Sequence, residues 1–196
     1  HLSHPYPMES WVYGSVVFCI LGWSSIFVCD IIQLDKLEFG GVILMLYNAK
    51  ELKLNVQNMQ LDYITFGNGT KPLVMIQGLN TRGIKGAALS LAYMYRIFAK
   101  DYKVYLFDRR PVIQEAITVR DMASDIAIAM DILGITNADV FGVSQGGMIA
   151  QYLAIDRPDL VRQLVLAVTL SKNNDTVKQV INNWIEMAEM GAIKAL

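Results

Sequence analysis

The stretch Gly142-Val143-Ser144-Gln145-Gly146 decides the fold prediction for this chain of 196 residues. It follows residues 138–141, which read as a short buried strand, and it precedes residues 145–155, whose apolar spacing predicts a helix. A G-x-S-x-G sequence between a strand and a helix predicts a sharp turn that holds the serine in a strained backbone conformation. Glycines two residues before and after the serine relieve crowding there. We therefore expect the serine to lie above the edge of a sheet, at the N-terminus of the following helix.

Strand and helix signals alternate on both sides of this turn. Short apolar or alternating runs predict strands at 52–57, 61–66, 73–76, 104–107, 138–141 and 164–169. Helical spacing predicts helices at 87–99, 119–133 and 145–155, and a last one capped by Asp175 or Thr176. Strands separated by helices imply right-handed crossovers. The predicted fold class is therefore α/β, a largely parallel sheet with helices on both faces and an antiparallel strand pair at one edge.

Two backbone N–H groups are predicted to face the Ser144 hydroxyl. A serine that carries out acyl transfer needs two donors aimed at the developing oxyanion. One is the N–H of Gln145, at a helix N-terminus where negative charge is favoured. The other is expected in the loop Gln77-Gly78-Leu79-Asn80, after the strand at 73–76, as the N–H of Leu79. The catalytic candidates are thus Ser144 as nucleophile, with Leu79 and Gln145 forming an oxyanion hole.

Residues from about 52 to 196 resemble the N-terminal part of an α/β-hydrolase-fold protein, in a serine hydrolase or esterase-like form. The shared features are the strand hairpin, the loop at 77–79, the Asp-Arg-Arg stretch at 108–110 and the elbow with Gly142 and Gly146. The resemblance implies hydrolysis of an ester, lactone or similar small acyl substrate through an acyl-enzyme on Ser144. It also implies no cofactor and no metal.

The chain departs from the family pattern at several positions. Gln77 stands where the family usually has His, and Pro111 stands where its D-x-R-G turn commonly has Gly. We interpret Arg109 and Arg110 in that turn as scaffold residues. The helix at 176–190 resembles the start of the cap that covers the site in many members.

The base of a catalytic triad is missing from the expected position. The only histidines are His1 and His4, whereas the family order is Ser, then acid, then His. The three aspartates after the serine are interpreted as helix-end or loop carboxylates: Asp156, Asp159 and Asp175. Two explanations stay open, namely a piece of a longer hydrolase that is inactive as this chain, or a non-catalytic or membrane-anchored binding module. An amphipathic last helix without a partner and an open edge on the strand at 164–169 favour the first explanation.

The composition changes near residue 44, which predicts three parts: an N-terminal segment 1–44, a core 45–172 and the beginning of a helical cap 173–196. The first part holds both histidines, both cysteines and one of the 17 basic residues. Its uncharged run of twenty residues, 10–29, is long enough for a membrane helix, but no Lys or Arg flanks it closely. A second hypothesis is that residues 1–44 are a non-native extension preceding Met45.

The overall charge and the cysteine content exclude some classes of protein. A net charge of −1 gives no reason to expect nucleic-acid binding, and two cysteines are too few for a disulfide scaffold. The expected partner is a small-molecule acyl substrate, with a membrane added if the 11–29 segment is a genuine helix. The expected location is the cytoplasm, or a membrane surface in that second case. The oligomeric state is not predicted.

Overall fold

The computed structural model describes residues 16–19, 46–79, 83–110, 117–172 and 174–191. The described strands are β1 (Val16–Cys19), β2 (Lys50–Val56), β3 (Met59–Phe66), β4 (Lys71–Ile76), β5 (Tyr102–Phe107), β6 (Ala138–Val143) and β7 (Val161–Ala167). The described α-helices are α1 (Ala88–Met94), α2 (Val119–Ile132), α3 (Gln145–Asp156) and α4 (Asp175–Glu189). Short 3₁₀ turns lie at Leu46–Asn48 and Arg96–Phe98. The α/β class predicted from the sequence is confirmed.

The strands form one mixed sheet in the order β1-β7-β6-β4-β5-β3-β2. β2 and β3 are antiparallel to each other, and β3 is antiparallel to β5. The other neighbouring pairs are parallel. The antiparallel pair therefore lies at one edge of a largely parallel sheet, as the alternating pattern of residues 52–66 predicts.

Alternate residues of the central strand β4 belong to two different hydrophobic clusters, because successive side chains of a strand point to opposite faces. Val74 and Ile76 pack in the cluster that holds the buried sides of α2 and α3. Leu73 and Met75 pack in the other cluster, with α1. Helices consequently cover both faces of the sheet, and the whole apolar run of β4 is buried.

Three element boundaries differ from the sequence prediction for local reasons. The helix predicted over 87–99 ends at Met94, and a separate 3₁₀ turn follows. The last strand begins three residues earlier than predicted and ends at Ala167, because Val168 has a positive φ of 50° that is incompatible with a strand. Asn174, not Asp175 or Thr176, caps α4, since its side-chain oxygen accepts the N–H of Val177 at 2.9 Å.

The predicted membrane helix over 11–29 is not found in its described part. Residues Val16–Cys19 form β1, which pairs in parallel with β7 from Leu164 to Ala167. The edge of β7 that was expected to be open is thus paired, and the prediction of an open edge is wrong. Among the described residues, no helix has the length and apolar character needed to span a bilayer. The rest of the 11–29 segment and the origin of residues 1–44 lie outside the described residues.

Candidate active site

The candidate site lies where the chain changes direction across the sheet. β4 is followed along the chain by β5 on one side of it, whereas the next strand, β6, lies on its other side. In α/β sheets the crevice at such a switch point, beyond the carboxyl ends of the strands, is where ligands bind. Ile76 at the end of β4 lies opposite Gly142 in β6. The loop that begins at Gln77 and the turn at Ser144 therefore leave the sheet side by side.

Ser144 has the strained backbone that the elbow motif predicts. Its φ of 53° and ψ of −121° lie in a region that L-residues rarely adopt. The Ser144 N–H donates to the carbonyl of Ala167 at 2.9 Å. The Ser144 carbonyl accepts from the Gly147 N–H at 2.9 Å and from the Thr169 hydroxyl at 2.7 Å. These bonds hold the strained residue in place, and they leave its exposed side chain at the surface.

The glycines on either side of the serine stand where a side chain does not fit. A Cβ added to Gly142 would lie 2.7 Å from the carbonyl oxygen of Gly146. A Cβ added to Gly146 would lie 2.1 Å from the carbonyl oxygen of Ile76 and 2.5 Å from that of Gln77. All three distances are under 3.0 Å, which real Cβ atoms essentially never show. Glycine at these two positions lets α3 start directly against the loop that follows β4.

The loop predicted to carry the second oxyanion donor lies against the serine. A Cβ added to Gly78 would be 3.1 Å from the Ser144 Cβ and 3.7 Å from its Oγ. Leu79 follows in that loop and is exposed. Gln145 begins α3, so its N–H has no intrahelical acceptor. The structure thus brings together Ser144, Gln145 and the loop that carries Leu79.

From the sequence we interpret Arg109 and Arg110 as scaffold residues, and in the structure Arg109 and its neighbour Asp108 bind the backbone of this loop. Nη2 of Arg109 donates to the carbonyl oxygen of Gln77 at 3.3 Å and also to that of Gly78. Oδ2 of Asp108 accepts the N–H of Ile84 at 2.9 Å. Burial lowers the pKa of the Arg109 guanidinium, which nevertheless stays charged because its ordinary pKa is so high. One signal in the sequence could have predicted these contacts. Both residues directly follow β5, which ends at the same edge of the sheet as β4.

The three aspartates that follow Ser144 in sequence are occupied elsewhere. Asp156 pairs with Arg120 at 2.6 Å, Asp159 with Arg157 at 2.7 Å, and Asp175 with Lys178 at 3.3 Å. These contacts agree with their interpretation as helix-end or loop carboxylates. The described ranges contain no histidine, since both histidines precede residue 16. Within those ranges, no three His, Cys, Asp or Glu side chains cluster as metal ligands would.

A small cavity beneath the site is too small for a substrate. It has a volume of about 20 Å³ and is lined by Ile76, Arg109, Arg110, Asp125 and Ile149, among others. Such a volume holds about one water molecule, whereas small-molecule sites occupy hundreds of Å³. Among the described residues, this cavity therefore leaves no room for a small-molecule substrate beneath the elbow.

We expect Ser144→Gly to stabilise the fold while it removes the candidate nucleophile. Glycine adopts positive φ without strain, so the substitution should raise the free energy of unfolding by about 1 kcal/mol. Ser144→Ala is the matched control, because alanine removes the hydroxyl but keeps the strain. Urea unfolding followed by circular dichroism measures both variants. Equal stability of the two variants would contradict the strained conformation.

Comparison with known proteins finds a matching protein family and relatives of similar sequence. The protein family described as alpha/beta hydrolase fold matches residues 71–190. The chain is 28% identical over 126 residues to 3-oxoadipate enol-lactonase 2 of Acinetobacter baylyi, which covers 61% of this chain and 45% of that protein. It is 25% identical over 122 residues to human epoxide hydrolase 4, covering 59% of this chain and 33% of that one. The chain thus spans less than half the length of these two curated relatives.

A solved structure agrees with the sequence comparison. The structure of Rv0554 from Mycobacterium tuberculosis superimposes with a TM-score of 0.57 at 26% identity. The match covers 72% of this chain and 53% of that one. The family match extends over more than half of the chain and includes β4, the elbow and all of α4. The chain therefore belongs to the alpha/beta hydrolase fold family.

Proposed function

We propose that the chain carries the nucleophile and the oxyanion hole of a serine hydrolase that acts on an ester, lactone or similar small acyl substrate. Ser144 forms the acyl-enzyme, and the N–H groups of Leu79 and Gln145 stabilise the oxyanion. The observation that carries the proposal is the strained Ser144 at the switch point, with Gly78 packed against it. The name of the enol-lactonase relative supports an acyl bond of the lactone class.

The acylation step needs a base that the described residues do not supply. The Ser144 oxygen attacks the acyl carbonyl carbon, and its proton passes to a base. The bond from that carbon to the leaving oxygen then breaks, and the protonated base gives the proton to this oxygen, so that an alcohol and the acyl-enzyme result. A serine hydroxyl without an adjacent base is a weak nucleophile. No histidine follows Ser144 in the sequence, so we propose that these 196 residues react slowly by themselves.

A fluorophosphonate probe tests this proposal on the full 196-residue chain. In buffer alone we expect slow phosphonylation, because no base takes up the Ser144 proton. Added imidazole should accelerate labelling by about tenfold or more, since general-base assistance contributes about 10²–10⁴-fold in enzymes and a dissolved base is poorly positioned. Intact-mass measurement gives the rate, and peptide mapping gives the site.

The control is Ser144→Ala, which should abolish the label at this position with and without imidazole. Labelling spread over several surface serines, with none at Ser144, would refute the proposed nucleophile. Rapid labelling of Ser144 without imidazole would instead refute the proposal that the chain reacts slowly by itself.

The second candidate function is a non-catalytic or membrane-anchored binding module. It is favoured by the exposed apolar side chains of α4, namely Val180, Trp184 and Ile185. Failure to label Ser144 in imidazole, together with sedimentation of the chain with neutral phosphatidylcholine vesicles, would favour this alternative. Location follows the function: we propose the cytoplasm for the hydrolase and a membrane surface for the anchored module.

A further inference from the structure

The loop after β4 is fastened at both ends by two consecutive residues. Arg109 donates to the carbonyls of Gln77 and Gly78 at the start of the loop. Asp108 accepts the N–H of Ile84 at its far end, at 2.9 Å, and also the N–H of Arg109 at 2.8 Å. The Asp108 carboxylate thereby connects its own contact with Ile84 to the contacts that Arg109 makes with Gln77 and Gly78. This Asp-Arg pair fixes the two described ends of the loop, at Gln77–Gly78 and at Ile84, beside the end of β5.

The contact between Arg109 and the Gly78 carbonyl determines where the Leu79 N–H points. The Gly78 carbonyl and the Leu79 N–H belong to the same peptide unit. A trans peptide is planar, and its C=O and N–H point in opposite directions. A guanidinium bound to the Gly78 carbonyl therefore turns the Leu79 N–H away from Arg109.

The contact between Arg109 and the Gly78 carbonyl also makes the Leu79 N–H a stronger hydrogen-bond donor. A hydrogen bond from a charged group to a carbonyl polarises the amide and is stronger than a bond between neutral groups. Arg109 is half-buried. The guanidinium lies on the carbonyl side of the Gly78–Leu79 peptide. Its positive charge therefore favours a negative charge on the N–H side of that peptide.

We propose that Arg109 is a positioning residue, which orients and polarises the Gly78–Leu79 peptide. The Leu79 N–H then donates to the oxyanion that forms on the acyl group when Ser144 attacks it. This inference rests on the proposed function. Arginine suits the role better than lysine, because its planar guanidinium contacts two successive carbonyls while its charge is permanent. The close approach of Gly78 to Ser144 puts the oriented peptide beside the nucleophile.

The first arm of the test is independent of the chemistry. In the ¹⁵N-labelled full chain without any ligand, Arg109→Met should shift the Leu79 amide resonance, because the carbonyl of that peptide loses its charged donor. Arg120→Met is the matched control, since it removes an exposed arginine paired with Asp156. It should leave the Leu79 resonance unchanged.

The second arm measures oxyanion binding with phenylboronic acid. Its boron bonds to a serine oxygen to form a tetrahedral anion, and the hydroxyl proton is released to the buffer. Arg109→Met should weaken Ser144-dependent boronate binding by about tenfold, less than the 10²–10³-fold loss reported for removal of a whole oxyanion donor. Arg109→Lys should give an intermediate affinity, because the charge stays but the two-carbonyl contact is lost. Ser144→Ala defines the binding that depends on the nucleophile.

The outcomes separate the two proposals. A folded Arg109→Met chain with the wild-type Leu79 resonance and wild-type boronate affinity would overturn the positioning role. Absence of Ser144-dependent boronate binding in the wild-type chain would count against the proposed function, while the resonance still decides whether Arg109 orients the peptide. If Arg109→Met does not fold, Arg109→Lys carries both arms: an unchanged resonance and affinity in it would overturn the role.

Discussion

Gly146→Ala is expected to destabilise the chain by about 3 kcal/mol or more, at the upper end of what overpacking costs in protein cores. The added Cβ would lie 2.1 Å from the Ile76 carbonyl oxygen and 2.5 Å from that of Gln77. Both obstacles are backbone atoms at the end of the central strand, so no side-chain rotation can relieve the overlap. Either α3 moves away from the sheet or the loop after β4 is displaced.

Gly134→Ala is the matched control for the loss of a glycine. Gly134 has a φ of 66°, and a Cβ there meets no atom within 4 Å. Its substitution should cost about 1 kcal/mol from backbone strain alone. Urea unfolding followed by circular dichroism measures both variants. If Gly146→Ala costs no more than Gly134→Ala, the close approach at the elbow is wrong.

Most of the fold follows from local patterns, whereas the pairing of β1 does not. Strands such as β4 are continuous apolar runs bounded by turn residues, and α2 is an amphipathic run that ends before a glycine. The uncharged run at 10–29 contains Gly14 and Gly22, but it has no charged residue that would mark a solvent-exposed side of a strand or helix. Periodicity alone does not separate a buried strand from an apolar helix in such a run. The membrane-helix prediction therefore failed at Val16–Cys19, where the structure has a strand.

The candidate site also has a part that the sequence predicts and a part that it does not. Ser144, Gln145 and the glycines around them are found from the sequence, because the elbow is made by five consecutive residues. Arg109 and Thr169 are not, since their contacts depend on which strand ends lie next to each other. Arg109 follows β5 and reaches the loop after β4, and Thr169 follows β7 and bonds to the elbow after β6. The strand order that places them is a property of the whole sheet.

The second large effect concerns Arg110, the residue after the positioning arginine. Its guanidinium forms two 2.8 Å hydrogen bonds with the Asp125 carboxylate on α2. Both side chains are mostly buried, at 14% and 6% exposure. Arg110→Met should cost about 3–5 kcal/mol, because it leaves a buried carboxylate without its partner. The double variant Arg110→Met with Asp125→Leu should return to within about 1 kcal/mol of wild type, since an apolar pair of similar volume avoids the desolvation of two charges.

The pH dependence of the single variant identifies the cause of its instability. Burial raises the pKa of the Asp125 carboxyl, and the hydrogen bonds from Arg110 oppose that rise. Without Arg110 the pKa rises further, so the folded state binds a proton more readily than the unfolded state does. Stability linked to this group then increases as pH falls through the raised pKa. The deficit of Arg110→Met against wild type should therefore narrow from pH 7 towards the unfolded value of about 3.9. A deficit that stays constant over this range would mean that lost packing, and not the unpaired Asp125 charge, destabilises the variant.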